Sequence, residues 1–175
     1  MGETSLSIEA EFTAYAAARA QRLRDTAFLL CGDWHTAQDL TQTTLAKLYT
    51  AWKRVERSES VDAYARQVML RTFLDSRRLK RSSERPTTQV PDIAAPADSD
   101  PALRLTLLSA LAQLPLNRRA VLVLRFWEDQ TVEATGAAMG LSASAVKSLT
   151  QRALADLRSA LRDDDAMAEL DFLLV

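Results

Sequence analysis

An all-α fold, two small helical domains joined by a flexible proline-rich linker with a helix-turn-helix in the second, is what the sequence predicts, on three observations. Apolar residues recur at helical spacing through most of the 175 residues, and only four glycines interrupt them. Pro86, Pro91, Pro96 and Pro101 fall in one stretch that carries Ser, Thr and Asp but no apolar period. Residues 131–158, TVEATGAAMGLSASAVKSLTQRALADLR, read as two short helices around Met139-Gly140-Leu141-Ser142. There Gly140 suits the left-handed conformation that ends one helix, and Ser142 suits the N-cap of the next. The predicted division is a first domain at 8–85, a linker at 86–101, a second domain at 102–162 and an acidic, then apolar, tail at 163–175.

Each element has its own signature. Phe12, Tyr15, Ala16, Leu23, Ala27 and Leu30 share one helical face, which Gly32-Asp33 closes. The second helix bears two neighbouring stripes, Leu40, Thr44, Leu48 and Val55 beside Leu45, Tyr49 and Trp52, an apolar surface wider than one packing contact requires. Both stripes as core, or part of the face as a protein-binding surface, are open at this point. The third helix starts near Asp62 with Val61, Tyr64, Ala65 and Val68 in phase. Past Arg71 the apolar positions Phe73 and Leu74 change sides, which predicts a kink or short loop at Arg71-Thr72. In the second domain, Leu103, Leu107, Ala110, Leu111 and Leu114 form an amphipathic helix stopped by Pro115, and Asn117 is the expected cap of a helix carrying Val121, Leu124 and Trp127. In the last helix, at about 100° per residue, Val146, Leu149, Ala153 and Leu157 face one side and Ser144, Lys147, Ser148 and Gln151 the other. Small hydroxyls, an amide and a cation suit base edges and phosphates in a major groove.

Charge and composition exclude several classes. A formal net charge of −1 argues against a protein that coats DNA by bulk electrostatics. Its distribution is uneven: Arg66, Arg71, Arg77, Arg78, Lys80, Arg81 and Arg85 face only Asp75 and Glu84 over the same stretch. A charge run is ordinarily a solvated face, but one-signed excess beside a helix-turn-helix points to nucleic acid. Cys31 and His35 are the only residues of their kinds, so neither an internal disulfide nor a Cys/His metal cluster can be built, and Cys31 reads as a small hydrophobe. With no glycine-rich phosphate loop and no spaced acidic cluster, the expectation is no catalytic residue, no metal, no cofactor and no enzyme. No apolar run approaches membrane-span length and Met1 to Ser7 lacks a signal-peptide pattern, so a cytoplasmic protein without membrane insertion is expected.

Three segments together resemble the extracytoplasmic-function (ECF) sigma factors of the sigma-70 family, and within them the actinobacterial SigE-like branch. GDWHTAQDLTQTTLAKLYTAW at 32–52 is similar to the family helix that docks on the clamp of RNA polymerase. DAYARQVMLRTFLDSRRLKR at 62–81 looks like the segment that opens and reads the minus-10 promoter element, and residues 111–158 resemble the domain that reads the minus-35 element. The resemblance implies polymerase binding by Asp39, Leu40, Gln42 and Leu45. It implies capture of an unstacked base by a loop at Arg71 and Thr72, with Arg77, Arg78, Lys80 and Arg81 on the strand backbone. It places Lys147 and Arg152 on phosphates and Ser144, Ser148 and Gln151 on base edges. Arg119 is implied as a DNA-backbone contact, with a structural salt-bridge role as the alternative, and Leu107, Leu111 and Leu124 as a groove for the polymerase flap tip, with plain core as the alternative. Core polymerase, promoter DNA and an anti-sigma factor are the implied partners. Gly136 stands where relatives commonly carry Ala, a substitution that costs roughly 0.5–1 kcal/mol of helix stability.

A different function class, an autonomous helix-turn-helix repressor or activator, predicts tight operator binding by the isolated protein. The near-neutral charge and the docking-like helix favour the initiation factor. For the tail DDDAMAELDFLLV three readings stand: a short helix folded back through Phe172 and Leu173, an autoinhibitory mimic of DNA charge, or a degradation signal.

Overall fold

The computed structural model describes residues 2–56, 60–79 and 101–162. Among these residues the chain is all-α: α1 (Gly2–Cys31), α2 (Trp34–Val55), α3 (Val61–Leu79), α4 (Pro101–Gln113), α5 (Leu116–Leu122), a π-helical turn (Val123–Trp127), α6 (Val132–Met139) and α7 (Ala143–Arg162). Residues 80–100 and the tail at 163–175, which include nearly all of the expected linker, lie outside the described residues.

Local chemistry sets the helix ends. Gly32, at φ 76°, ends α1, and its N–H returns to the Phe28 carbonyl at 2.8 Å. Asp33 caps α2 by accepting the Thr36 N–H at 2.9 Å. Ser60 serves α3 in the same way, through the Ala63 N–H at 3.1 Å. The expected cap at Asn117 is not found: α5 starts two residues earlier, with Pro115 at the cap position, because a proline there lacks only an N–H that the first turn would leave unpaired.

The first three helices pack around Leu48, Met69, Leu70 and Phe73, all fully buried and each stabilising by roughly 1.5–3 kcal/mol. No kink interrupts α3 at Arg71-Thr72; the helix runs unbroken from Val61 to Leu79. Met69, Leu70 and Phe73 stand at i, i+1 and i+4 and keep one buried stripe, and the half-buried Leu74 widens it, so the apparent change of side is the broadening of one apolar face. On α2 both apolar stripes are used. Leu40, Thr44, Leu48, Trp52 and Val55 are buried, while Tyr49 stays 48% exposed with its ring edge-on to Phe12 at 4.9 Å.

A second core joins Ala110, Leu114, Val121, Leu122, Val146, Ala153, Leu157 and Leu161 from α4, α5 and α7. The two groups of helices also meet. Ala120, Val123 and Leu124 are buried in the same cluster as the α1–α3 core, with Leu108, Leu111, Leu116, Trp127 and Met139 packed against it. Leu124 therefore spends its side chain on core packing, so of the three residues expected to form a flap-tip groove only Leu107 and Leu111 keep partial exposure.

Candidate nucleic-acid interface

The helix-turn-helix forms as its residue types dictate. Thr131 caps α6 by accepting the Ala134 N–H at 3.1 Å. Gly140, at φ 68°, ends α6, and the Leu141 N–H reaches back to the Gly136 carbonyl at 2.9 Å, the six-to-one bond of a Schellman turn. Ser142 then caps α7 through the Ala145 N–H at 3.2 Å. The turn is so tight that a Cβ on Gly136 would lie 2.6 Å from the Leu141 carbonyl oxygen, so the glycine expected to weaken α6 is what lets the chain fold back.

On α7, Val146, Ala153 and Leu157 are buried and Leu149 is half-buried, whereas Ser144, Lys147, Ser148, Gln151 and Arg152 are exposed along one face. A cationic, hydroxyl-bearing and amide-bearing helix face of this kind matches the donor and acceptor pattern of a major groove. Arg118 on α5 pairs with Asp156 on α7 and so ties α7 to α5.

Arg119 does not join that face. It is 6% exposed and donates to the Leu30 carbonyl of α1 at 2.9 Å, to the Leu114 carbonyl at 3.2 Å and to the Ala112 carbonyl. These carbonyls belong to the ends of α1 and α4, where helix termini leave acceptors unpaired, and a guanidinium with five N–H groups satisfies several at once. The expected DNA-backbone contact is thus corrected to a structural clamp. All three of these hydrogen bonds run to backbone carbonyls.

Sequence reasoning also missed Glu128. Only 8% exposed, its carboxylate accepts the Thr26 hydroxyl of α1 at 2.5 Å and lies 3.5 Å from Arg66 and 3.7 Å from Arg22. Beside it the Trp127 indole N–H donates to the Thr26 hydroxyl oxygen at 3.0 Å, and Arg22 donates to the Trp127 carbonyl at 2.7 Å. The π-helical turn supplies this geometry: Leu124, Trp127 and Glu128 stand at i, i+3 and i+4 and all turn toward the first group of helices. A glutamate among exposed-looking acids gives no local sign of such burial. Further along the same face of α1, Tyr15 donates to Asp62 at 2.9 Å, and burial followed by that carboxylate raises the phenol well above its ordinary range.

The remaining site residues divide between surface and core. Arg71 is exposed and Thr72 is half-buried, its hydroxyl accepting Lys47 Nζ from α2 at 2.8 Å; both lie in continuous helix rather than in the expected loop. Arg77 and Arg78 belong to α3, but their side chains, like all of Lys80 and Arg81, lie outside the described residues. Asp39 and Gln42 are exposed and Leu45 is half-buried. Leu40, 6% exposed, is core and supports that face from below, which corrects its assignment as a direct polymerase contact. Among the described residues no group of three His, Cys, Asp or Glu side chains is placed to hold a metal ion, and no helix is long and apolar enough to cross a membrane.

Comparison with known proteins adds an independent line. Residues 10–83 match the model of sigma-70 region 2, and residues 110–159 that of sigma-70 region 4. The RNA polymerase sigma-E factor of Streptomyces coelicolor is 42% identical over 164 residues, 90% of this chain and 91% of that protein. That of Streptomyces avermitilis is 40% identical, covering 90% of each. Among solved structures, the sigma factor RpoE in complex with the anti-sigma factor NepR from Bartonella quintana matches with a TM-score of 0.74 at 20% identity, over 88% of this chain and 98% of that one. CnrH in complex with the cytosolic domain of CnrY matches with a TM-score of 0.65 at 22% identity, over 90% and 91%. Both structural matches concern the fold.

Proposed function

The chain belongs to the sigma-70 family, in its ECF group, and from that premise we propose how a sigma factor that binds core RNA polymerase and directs promoter-specific initiation distributes this work over its surface. The division follows the domains read from the sequence, with residues 8–85 docking on polymerase and opening DNA and residues 102–162 reading the upstream element. The minus-35 element is read by α7, with Lys147 and Arg152 on phosphates and Ser144, Ser148 and Gln151 on base edges. The exposed polar face of α7, set opposite its buried stripe, is the observation that carries this reading.

At the minus-10 element, Arg71 and Thr72 meet an unstacked base, and Arg77, Arg78, Lys80 and Arg81 hold the strand backbone. Binding energy gained on the captured strand offsets the unstacking cost of a few kcal/mol per step, so opening draws on no nucleotide hydrolysis by this chain. Asp39 and Gln42, with Leu45 beside them, face the polymerase clamp. Leu107 and Leu111 are the side chains left to meet the flap tip, which requires the contact with α1 to loosen. An anti-sigma factor that covers these same surfaces is the third partner, and the cytoplasm, where polymerase and promoter meet, is the place of action.

A run-off transcription assay tests this. Purified protein added to core polymerase is expected to yield transcripts from a genomic promoter pool, with start sites that share a two-part upstream motif. The reading is overturned by a pool that gives no polymerase-dependent transcript while the protein alone binds duplex tightly.

A further inference from the structure

We propose that Glu128 latches the two groups of helices together in a state that cannot span a promoter, so that the chain holds itself closed until core polymerase opens it. This rests on the sigma-factor reading and adds a regulation which that reading does not contain. Two observations carry it: the place of the two DNA-reading surfaces, and the one-sided pairing of Glu128.

The minus-35 and minus-10 elements are separated by about 25 base steps, roughly 85 Å of duplex at about 3.4 Å each. In the structure the surfaces assigned to them share one cleft. Arg71 and Leu74 of α3 line it from one side, and Asn117 of α5 with Met139 and Gly140 of the helix-turn-helix line it from the other. A compact chain of 175 residues has a radius of gyration of about 16 Å, far short of that span. Both elements can be engaged together only when the halves part. Residues 80–100, at about 3.4 Å per residue, reach roughly 70 Å when extended, which with the breadth of the two halves covers the distance.

Charge holds the halves shut. A pocket under the seam is lined by Arg19, Arg22, Arg66 and Asp62 of the first group, and Glu128 enters it from the second. Without Glu128 these lining residues set three guanidiniums against one carboxylate. The Glu128 carboxylate lies 3.5 Å from Arg66 and 3.7 Å from Arg22, and its side chain is 6% exposed against 21% and 52% for those arginines. Thr26 adds the hydroxyl contact at 2.5 Å, and Arg22 also holds the neighbouring Trp127 carbonyl at 2.7 Å. These partners of the carboxylate all belong to α1 and α3, so parting the halves breaks every one of them at once. Arg119 differs, because it keeps the Ala112 and Leu114 carbonyls of its own half when Leu30 leaves. A buried carboxylate whose partners lie across an interface makes separation costly until solvent or a competing surface replaces them.

Polymerase is the competing surface. Leu111, one of the two side chains left to the flap tip, packs against the first core, so polymerase gains that contact only in the open state and draws the equilibrium toward it. Affinity for polymerase is then reduced by the scarcity of open molecules, and weakening the latch raises it.

The test uses the full-length protein, with its radius of gyration read by small-angle scattering and its affinity for core polymerase read by titration. Glu128→Gln and Arg22→Gln, one from each side of the latch, are each expected to expand the free protein by several ångströms. Each is expected to bind core polymerase about tenfold more tightly, because only the open fraction binds, with the parent's transcript yield at saturation. Asp129→Asn is the control: it removes the exposed neighbouring carboxylate at a φ of 49° that Asn accepts, and it is expected to change neither quantity. An unfolded variant would be recognised by a radius of about 44 Å, and Arg22→Gln, altering a half-exposed side chain of α1, then decides alone. The proposal is overturned by an unchanged radius, by expansion without a gain in polymerase affinity, or by an equal effect of Asp129→Asn. Failure of the sigma reading looks different, because the parent would then give no polymerase-dependent transcript whatever its radius.

Discussion

The outer face of α7 and the α1-facing side of α5 and the π-helical turn both carry hydrogen-bonding side chains, yet the first leaves them exposed and the second buries them against partners on α1. Ser144, Lys147, Ser148, Gln151 and Arg152 point into solvent. Arg119 and Glu128 are buried, with donors and acceptors matched to α1 across 89 and 102 residues of sequence. The same residue types therefore do opposite work. A polar group that is buried and paired costs its full desolvation when its partner is removed, whereas an exposed one exchanges protein for water with little loss. Stability should reside in the seam and promoter recognition on the reading face.

Arg119→Ala is the strongest way to break this contrast. It strands the carbonyls of Leu30, Ala112 and Leu114 at once, and a loss of about 4 kcal/mol is expected at roughly 1.5–3 kcal/mol per charged hydrogen bond with partial compensation by water. A urea-unfolding midpoint reports it, and a cost below about 1 kcal/mol would return Arg119 to the surface. Gln151→Ala should give the mirror image: unfolding within about 0.5 kcal/mol of the parent, but minus-35 duplex binding by the holoenzyme weaker by about 1–3 kcal/mol. Equal binding of matched and mismatched duplex by parent and variant would remove Gln151 from base readout.

Gly136→Ala sharpens the comparison at the turn between the two faces. Helix propensity alone predicts a gain of roughly 0.5–1 kcal/mol. The close approach of the new Cβ to the Leu141 carbonyl, 2.6 Å before relaxation, predicts instead a net loss, about 1–2 kcal/mol of overpacking strain. A raised melting temperature would show that the turn yields.

Asp25→Asn is the smallest effect. Burial of Asp25 raises its carboxyl above the ordinary value of 3.8, against the lowering influence of the Gln21 hydrogen bond and of Arg24, Arg104 and Arg22. A carboxyl raised in the folded state contributes stability below its unfolded pKa and loses it as pH rises through the folded one. The neutral amide should therefore melt a few degrees higher than the parent at pH 7, with the gap closing as pH falls toward 3.8. A variant that melts lower at pH 7 would mean that the charge is needed by its arginine neighbours.

Legibility followed the range of the interactions. Gly140 and Ser142 act within a few residues of themselves, so the helix-turn-helix and the exposed face of α7 could be read directly. The stripe on α3 was read as broken because Leu74 beside Phe73 mimics a change of phase, when both side chains pack on one broad face. Leu40 and Asp39 are sequence neighbours in one motif, and only packing tells the buried one from the exposed one.

The sequence by itself determined the all-α class, the helix ends at Gly32-Asp33 and at Gly140-Ser142 and the chemistry offered by α7, because helical period and capping depend on residues no more than a turn or two apart. Tertiary structure alone decided that Arg119 clamps rather than contacts DNA, that Glu128 is buried, and that Lys47 is drawn to Thr72. Each of those outcomes depends on which helices face one another, and a side chain's role is settled by the partner that satisfies it, which no local pattern encodes.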